Sequence, residues 1–277
     1  DYLFTQFGYA NWAGNESDNE LPKKAKKLVF DTLRSQIEIL QPVFVVPFAS
    51  FVYFSHEENF HWNKNSVKIK EVFKFLSIEL NQNVIVPKPG LKIVGITRTQ
   101  DDLPQRNGKP LESLLGENDE ALSFWENKFK KIKPKYKSKS LPIDFLQIEF
   151  ALMVKHILRA NSLKTFNLSP TVIYLTDLNK CVNFDIKKPE LEVFDDISEF
   201  DVSMSSECLD QIMKHEYGRG TITINGRFTA NYKRFNKFLD QTNLYYYNNI
   251  GRYLGKNLKV SDITNQKNFY TRLLEDT

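Results

Sequence analysis

The chain has 277 residues, a formal net charge of +4, and a composition of 41% hydrophobic and 26% charged residues. These values are typical of a soluble globular protein with a sizeable core, and so modest a charge predicts no specific nucleic-acid partner. No apolar run approaches the roughly 18 residues that a membrane-spanning helix needs, which excludes a membrane protein of that kind. The two cysteines, Cys181 and Cys208, lack metal-binding spacing and predict a reducing, cytoplasmic environment.

The first part of the chain predicts alternating strands and helices. Residues 1–7 predict a short strand, and apolar residues recur at intervals of three and four over residues 21–40, which predicts an amphipathic helix. The stretch VFVVPFASF, residues 43–51, then predicts a buried strand. A strand, a helix and a strand in this order predict a parallel β-α-β unit, with the helix packed on one face of the sheet.

The remaining patterns predict an α/β fold in three parts. Residues 1–100 form an α/β domain, residues 101–169 a helical connector, and residues 170–277 a small α+β domain. The first part adds a helix over 66–81 and strands at NVIVP and LKIVGIT, and the connector has helices over 118–132 and 142–161. In the third part we expect a hairpin in TVIYLTDLNKCVNFDI, a helix in SSECLDQIMKHEYG, a strand in RGTITINGRF and a helix in NYKRFNKFLDQTNLYYYNNI.

A lysine-rich segment, KFKKIKPKYKSK at residues 128–139, contains no acidic residue. The simpler interpretation is a solvated helix end followed by a linker. The alternative is an anionic partner held by Lys130, Lys131 and Lys133, with an affinity that falls steeply as salt is added.

The stretch VVPFASFVYFSHEENFHWN, residues 45–63, holds two of the four histidines directly after the second strand. Histidine is a frequent metal ligand, and His56 is the candidate here, with Glu57 and Glu58 placed to orient the imidazole or to accept a proton. The alternative is that His56 and His61 are ordinary surface histidines. His156, on the apolar face of a predicted helix, is expected to be a satisfied core or interface residue.

A second group of polar residues, in TQFGYANWAGN, follows the first strand. Gln6, Asn11 and Trp12 offer amide groups and an aromatic face, and Glu57 and Asn59 follow the neighbouring strand. In parallel α/β sheets, ligands bind beyond the carboxyl ends of the strands, so we expect these residues to line one cleft and hold a small-molecule substrate. The alternative is a loop whose Trp12 packs into the core.

Two stretches carry a resemblance to a known fold. DYLFTQFGYANWAGN and LQPVFVVPFASFVYFSHEENFHWN, with the helix between them, resemble the second half of metallo-β-lactamase-fold proteins. Within that fold they are similar to the family of CMP-N-acetylneuraminate hydroxylase and, more distantly, to that of L-ascorbate-6-phosphate lactonase. The match rests on PFAS and on Ser55-His56 and covers roughly residues 1–65. It implies an αββα sandwich whose one or two metal ions are bound by His and Asp.

The chain departs from the pattern of this fold at two places. The motif HxHxDH of the first half is absent, and Phe48 follows Pro47 where many relatives have a metal-binding histidine. The resemblance therefore implies that the chain is the C-terminal portion of a longer protein and inactive by itself. Most metal ligands would lie upstream of Asp1, with His56 as a substitute ligand. A start inside a strand pattern, without an initiating Met, leads to the same expectation.

Three functions follow as hypotheses. The first is a zinc-dependent hydrolase, in which a metal-bound water attacks an ester, a lactone or a phosphodiester. The second is an iron-dependent hydroxylase-like enzyme that acts on a nucleotide sugar. The third is a non-catalytic ligand-binding module. The segment SMSSECLDQIMKHEYGRGTITINGRF resembles small sterol-carrier-like α+β modules, and the alternative for it is a dimerisation domain, which would make the protein a homo-oligomer.

Overall fold

The residues that the structure describes form a mixed α/β fold, with helices and two sheets. The computed structural model describes residues 2–50, 52–87, 123–124, 127–128, 130–131, 138–162, 168–264 and 269–274. The chain divides into two compact units. The first unit comprises Asp1–Ala10, Pro22–Ser55 and Phe60–Tyr136, and the second comprises Asn11–Leu21, His56–Asn59 and Lys137–Thr277.

The first unit is built on a parallel three-stranded sheet in the order β1-β2-β3. The elements of this part of the chain are β1 (Tyr2–Gln6), α1 (Glu20–Leu40), β2 (Phe44–Phe48), a 3₁₀ helix (Glu57–Asn65), α2 (Ile69–Lys74), a π-helical turn (Phe75–Glu79) and β3 (Asn83–Val84). The predicted β-α-β unit is confirmed, because β1 and β2 pair in parallel and α1 connects them. The strand predicted at LKIVGIT lies outside the described residues.

The two faces of this sheet differ in what packs on them. On one face, the Thr5 hydroxyl donates to Oε1 of Gln36 in α1 at 2.6 Å, which fixes the side on which the helix lies. On the other face, called here the aromatic face, paired residues of β1 and β2 stand side by side, and Phe4 packs edge-on against Phe48 with ring centroids 6.1 Å apart. Phe4 is 58% exposed and Phe48 is 37% exposed. The sheet therefore presents exposed aromatic side chains on the face opposite to α1.

The second unit has a five-stranded sheet in the order β6-β5-β4-β7-β8, antiparallel except for the β4–β7 pair. Its elements are α3 (Ile143–Ala160), β4 (Thr171–Leu175), β5 (Lys180–Phe184), β6 (Glu192–Phe194), β7 (Val202–Met204), α4 (Ser206–Lys214), α5 (Gly218–Asn225), β8 (Thr229–Ala230), α6 (Phe235–Asn249), α7 (Ser261–Thr264) and α8 (Phe269–Leu274). The predicted β4–β5 hairpin and the helices α3, α4 and α6 are confirmed.

Parts of the predicted connector lie within the described residues. Residues 123–124, 127–128 and 130–131 are helical, as expected for the helix over 118–132, and Lys130 and Lys131 are exposed. The boundary predicted at 100–120 and Lys133 lie outside the described part. The core position considered for His156 is wrong, but its side chain is satisfied, as expected. Its side chain is 55% exposed on α3, and its Nε2 pairs with Oε1 of Glu216 at 2.9 Å.

The strand predicted for RGTITINGRF is also wrong, because most of this stretch forms α5. Ile222 is buried, one helical turn after the buried Gly218, whereas Ile224 is 48% exposed, so the alternating isoleucines lie on different sides of a helix. Gly226 ends the helix with φ at 63°, a left-handed conformation that favours glycine, and its N–H donates to the carbonyl of Ile222 at 2.9 Å. Asn-Gly, a frequent hairpin signal, here terminates a helix.

Gly218 allows the first turn of α5 to approach the backbone of α4 very closely. A Cβ atom at position 218 would lie 2.0 Å from the carbonyl oxygen of Gln211. At Gly220, in the same turn, an added Cβ would meet only the Tyr246 ring, at 3.6 Å. Close packing of α5 on α4 therefore requires glycine at position 218 and not at position 220.

We expect Gly218→Ala to lower the free energy of unfolding by about 2–3 kcal/mol, because the added methyl group pushes two helix backbones apart. Gly220→Ala is the matched control and should leave stability unchanged or raise it by up to about 1 kcal/mol, since alanine favours the helix. Urea denaturation followed by circular dichroism measures both. Equal losses in the two variants would contradict the packing of α5 described here.

Candidate functional site

The carboxyl ends of β1 and β2 lie side by side in the first unit, as expected for neighbouring parallel strands. The Phe7 N–H donates to Oγ of Ser50 at 2.8 Å. Gly8 approaches the same serine so closely that an added Cβ would lie 2.9 Å from its Cβ. Gln6, the last residue of β1, is exposed and is the one predicted substrate-binding residue that belongs to this unit.

The segments that follow these two strands belong to the second unit, where both bind the C-terminal end of α5. The Trp12 N–H donates to the carbonyl of Thr223 at 2.7 Å. The side-chain amide of Asn59 donates to the carbonyl of Asn225, also at 2.7 Å. Carbonyl groups in the last turn of a helix have no partner within the helix, so each segment satisfies one of them. The structure thus brings Trp12 and Asn59 to the same helix end.

Trp12 lies in the core of the second unit. The residue is 0% exposed, and its ring lies 4.9 Å from the Phe235 ring and 5.3 Å from the Phe228 ring, measured between centroids. Its neighbour Asn11 accepts a hydrogen bond at Oδ1 from the Tyr270 hydroxyl, at 3.1 Å. Rings enclosed in this way stabilise a core by burial and by aromatic contact, which accounts for Trp12 without a ligand.

Asn59 is likewise buried, at 2% exposure, and it organises the turn that contains His56. Its Oδ1 accepts from the His56 N–H at 3.0 Å, and its own N–H donates to the His56 carbonyl at 3.3 Å. Glu57, between them, is exposed in the first turn of the 3₁₀ helix. The position of the His56 backbone is therefore fixed by hydrogen bonds within its own segment and, through Asn59, by α5.

A cluster of polar side chains surrounds Arg227, the second residue after α5. Arg227 is 8% exposed, and its Nη2 lies 3.3 Å from Glu58, 3.2 Å from Glu207 and 3.1 Å from Oγ of Ser138. The Nη2 atom has two N–H bonds and faces three acceptors, which accounts for the long donor–acceptor distances. We call this group the Arg227 cluster. It consists of Arg227, Glu58, Glu207 and Ser138, together with His56 and Cys208, whose pKa values are affected by Arg227 and the two glutamates.

The cluster keeps His56 uncharged. Burial lowers the pKa of the His56 imidazole, and the positive charge of Arg227 lowers it further, while Glu58 and Glu207 act in the opposite direction. A neutral imidazole offers one donor and one acceptor nitrogen. His56 can therefore accept a hydrogen bond near neutral pH, at a position where a guanidinium opposes any additional positive charge.

Cys208 is the only cysteine of the cluster, and it is not set up as a nucleophile. The side chain is 1% exposed, and burial raises the pKa of its thiol, an effect that Arg227 only partly offsets. The Ser205 hydroxyl donates to its Sγ at 3.3 Å. Because the thiolate is the reactive form of cysteine, a buried thiol with a raised pKa is inert.

The described residues lack the metal site that the resemblance implies. Within the described ranges, no group of three or more His, Cys, Asp and Glu side chains suits a metal ion. The imidazole of His56, the predicted ligand, is subject to the positive charge of Arg227, which disfavours a dication, and to the negative charges of Glu58 and Glu207, which favour one. The described residues therefore do not by themselves provide a site for a zinc or iron ion.

Sequence reasoning missed the centre of this cluster. Glu58 and Arg227 are 169 residues apart in the chain, and Glu207 comes from a third segment, the first turn of α4. No local motif connects such residues, because their pairing is created by tertiary packing. The only available signal was the placement of an arginine directly after the Asn-Gly that ends α5, where a cation is favoured by the helix dipole.

Comparisons with known proteins assign no family to this chain. No protein-family model matches it, and searches of curated protein sequences and of solved structures gave no match either. None of the helices in the described ranges is long and apolar enough to span a membrane. The function must therefore be argued from the geometry of the two units and from the sequence resemblance.

We expect the His56 imidazole to titrate below the ordinary histidine value of about 6.5, because burial and Arg227 both disfavour its charged form. The unfolded chain then binds this proton more readily than the folded chain, so stability falls as the pH drops through about 6.5 towards the pKa of the folded state. NMR titration of the imidazole measures the first effect, and urea denaturation at several pH values measures the second.

Two variants control this prediction. Arg227→Met removes the positive neighbour and should raise the pKa of His56, leaving only the effect of burial opposed by the glutamates. His56→Gln should abolish this part of the pH dependence while leaving the acidic limb due to carboxylates in place. A His56 pKa at or above the ordinary value in the unmodified protein would contradict the described environment.

Proposed function

We propose that the chain is the C-terminal portion of a metal-dependent hydrolase with the metallo-β-lactamase fold. In this proposal the first unit forms the second half of the αββα sandwich. The observation that carries the proposal is the asymmetry of the parallel sheet, which has α1 on one face and exposed aromatic side chains on the other. The sequence resemblance of residues 1–65 supports the same assignment.

Parallel sheets are stabilised by burial of both of their faces. Such sheets are normally buried on both faces, because their strands are apolar on both sides and their crossover helices cover them. Here β2 is buried at Phe44 and Val46, yet Phe4 and Phe48 on the same aromatic face are exposed. In an αββα sandwich the inner face of each sheet packs on the other sheet and the helices lie outside. The aromatic face would be that inner face.

The division of roles follows from the composition of the described residues. They provide no metal-binding group of three or more ligands, so under this proposal the ligands come mainly from the other half of the sandwich. The contribution of this chain is then to complete the fold and to add the second unit. His56, neutral and next to Arg227, is better suited to accept a hydrogen bond from a substrate than to bind a dication.

A second candidate is the non-catalytic ligand-binding module. The specific observation in its favour is that the Arg227 cluster is electrostatically paired and contains an inert thiol, an arrangement that stabilises structure and lacks an activated nucleophile. Under this candidate the protein binds its ligand without transforming it. The two candidates differ in whether the complete protein contains a metal ion and turns over a substrate.

A substitution on the aromatic face tests the proposed sandwich. We expect Phe4→Glu to leave the stability of the 277-residue chain within about 1 kcal/mol, since the side chain is largely exposed there. In the protein made from the complete coding sequence, the same substitution should lower the melting temperature by several degrees, because it buries a charge between two sheets. Ile39→Glu, at a residue of α1 that is 78% exposed, is the matched control and should be neutral in both.

Equal effects of the two substitutions in the complete protein would contradict the sandwich. Differential scanning fluorimetry provides the readout, with circular dichroism to confirm that each variant is folded.

Metal analysis separates the enzymatic candidates from the binding module. We expect the isolated chain to bind zinc at well below one ion per chain, because its described residues lack a complete ligand set. The protein made from the complete coding sequence should contain one or two metal ions per chain and hydrolyse an ester, lactone or phosphodiester. Stoichiometric iron with oxygen uptake would select the hydroxylase-like alternative, and a metal-free complete protein would select the binding module.

A further inference from the structure

Arg219, in the first turn of α5, carries a guanidinium that has no counter-ion in the described chain. Its Nε is fully buried and has no hydrogen-bond partner there. The guanidinium carbon lies 4.7 Å from the centroid of the Tyr246 ring, on which it stacks. Burial lowers the pKa of Arg219, and the neighbours that oppose this shift are the phenols of Tyr270, Tyr246 and Tyr247. Phenols are neutral near pH 7, so none of them balances the charge.

Other arginines of the second unit show the usual arrangement. Arg252 also stacks on a tyrosine, at 5.2 Å from the Tyr247 ring, but its Nη2 pairs with Asp262 at 2.7 Å. Arg234 pairs with Glu199 at 2.8 Å, and Arg227 pairs with two glutamates. A guanidinium that is partly withdrawn from water is stabilised by an anion or by acceptors that replace its lost hydration, and at the buried Nε of Arg219 the described residues supply neither.

The backbone around Arg219 adds further donors. The Gly218 N–H donates to the carbonyl of His215 at 2.7 Å, and the Thr221 N–H donates to the carbonyl of Tyr217 at 3.1 Å. Between them, the N–H groups of Arg219 and Gly220 have no backbone acceptor among the described residues, as is normal for the first turn of a helix. Gly220 has no side chain to cover them, and the positive end of the helix dipole lies at the same place.

We propose that the N-terminal turn of α5 is a binding site for an oxyanion of the phosphate class, either free phosphate or the phosphate group of an ester. The guanidinium supplies a planar pair of donors, and the two free N–H groups supply two more. All four donors belong to the same helical turn, and together they would match the three terminal oxygens of a phosphate group better than the two oxygens of a carboxylate.

One acidic residue, Glu216, lies close to this site and must be considered. It lines the same crevice as Arg219, together with Gln241 and Tyr245, and its Oε1 pairs with Nε2 of His156 at 2.9 Å. It makes no ion pair with Arg219. The crevice is too narrow to admit a water molecule, so the proposal places the anion outside it, on the exposed side of the half-buried Arg219.

The test uses the full 277-residue chain, with inorganic phosphate as the probe and chloride of equal ionic strength as the reference. We expect phosphate to raise the melting temperature of the chain, whereas acetate should not. We also expect the ³¹P NMR signal of phosphate to broaden when the chain is added. Arg219→Gln should weaken phosphate binding by about tenfold or more, the loss expected for one charge-assisted pair of hydrogen bonds. Arg252→Gln, the stacked arginine that has a carboxylate partner, should bind phosphate as the unmodified chain does.

The two roles that Arg219 can have give opposite results in chloride. If the guanidinium is an unbalanced charge that binds an anion, Arg219→Gln should be at least as stable as the unmodified chain in chloride. In phosphate, the same variant should be less stable than the unmodified chain. A loss of stability that is equal in both buffers overturns the proposal and makes Arg219 a structural partner of Tyr246. If Arg219→Gln does not fold, Arg219→Lys keeps the charge without the planar donors and should fold with weakened phosphate binding. Phenyl phosphate in a parallel titration distinguishes an ester from the free ion.

Discussion

The C-terminal end of α5 is the point on which the second unit depends. A helix leaves the carbonyl groups of its last turn without internal partners, and Gly226 stops α5 abruptly by adopting a left-handed conformation. Two of these carbonyls are satisfied by segments from far away in the chain, through the backbone of Trp12 and the side chain of Asn59. These bonds help to fix both segments, together with those that join Asn15 to Ala230 and Glu58 to Arg227.

The two ends of α5 also determine the charge distribution of the second unit. Arg227 follows the C-terminal end, where the helix dipole favours a cation, and it is balanced by Glu58 and Glu207. Arg219 occupies the N-terminal turn, where the dipole disfavours a cation and favours an anion. The same helix thus stabilises one arginine and opposes the other. The pKa shifts have other causes, since burial lowers the pKa of Arg219, whereas at Arg227 neighbours that include Glu58 and Glu207 outweigh burial and raise the pKa.

The sequence predicted those elements whose signal is local and periodic. The β1-α1-β2 unit, the β4–β5 hairpin and the long helices α3 and α6 follow from apolar spacing and turn residues. It failed for α5, because alternating Thr and Ile indicate a strand and Asn-Gly ends helices as well as hairpins. The sequence also did not reveal that Glu207 and Arg227 influence the pKa of His56, because these residues meet only through tertiary packing. The histidine could be singled out by its chemistry, but the sign of its pKa shift depends on neighbours that no local pattern specifies.

The chemistry available within the described residues of the Arg227 cluster limits what the second unit can do. Hydrolysis needs an activated nucleophile, and the nearby candidates are used otherwise. The thiol of Cys208 is buried with a raised pKa, and the Ser205 hydroxyl donates to it. Ser206 donates its hydroxyl hydrogen to Asp177 and has no imidazole partner. An acid or base is effective only when its proton affinity suits the pH at which it works. Neutral His56 is the member of this cluster that can accept a proton, whereas the nearby thiol and hydroxyl groups are held in hydrogen bonds and are not prepared as nucleophiles.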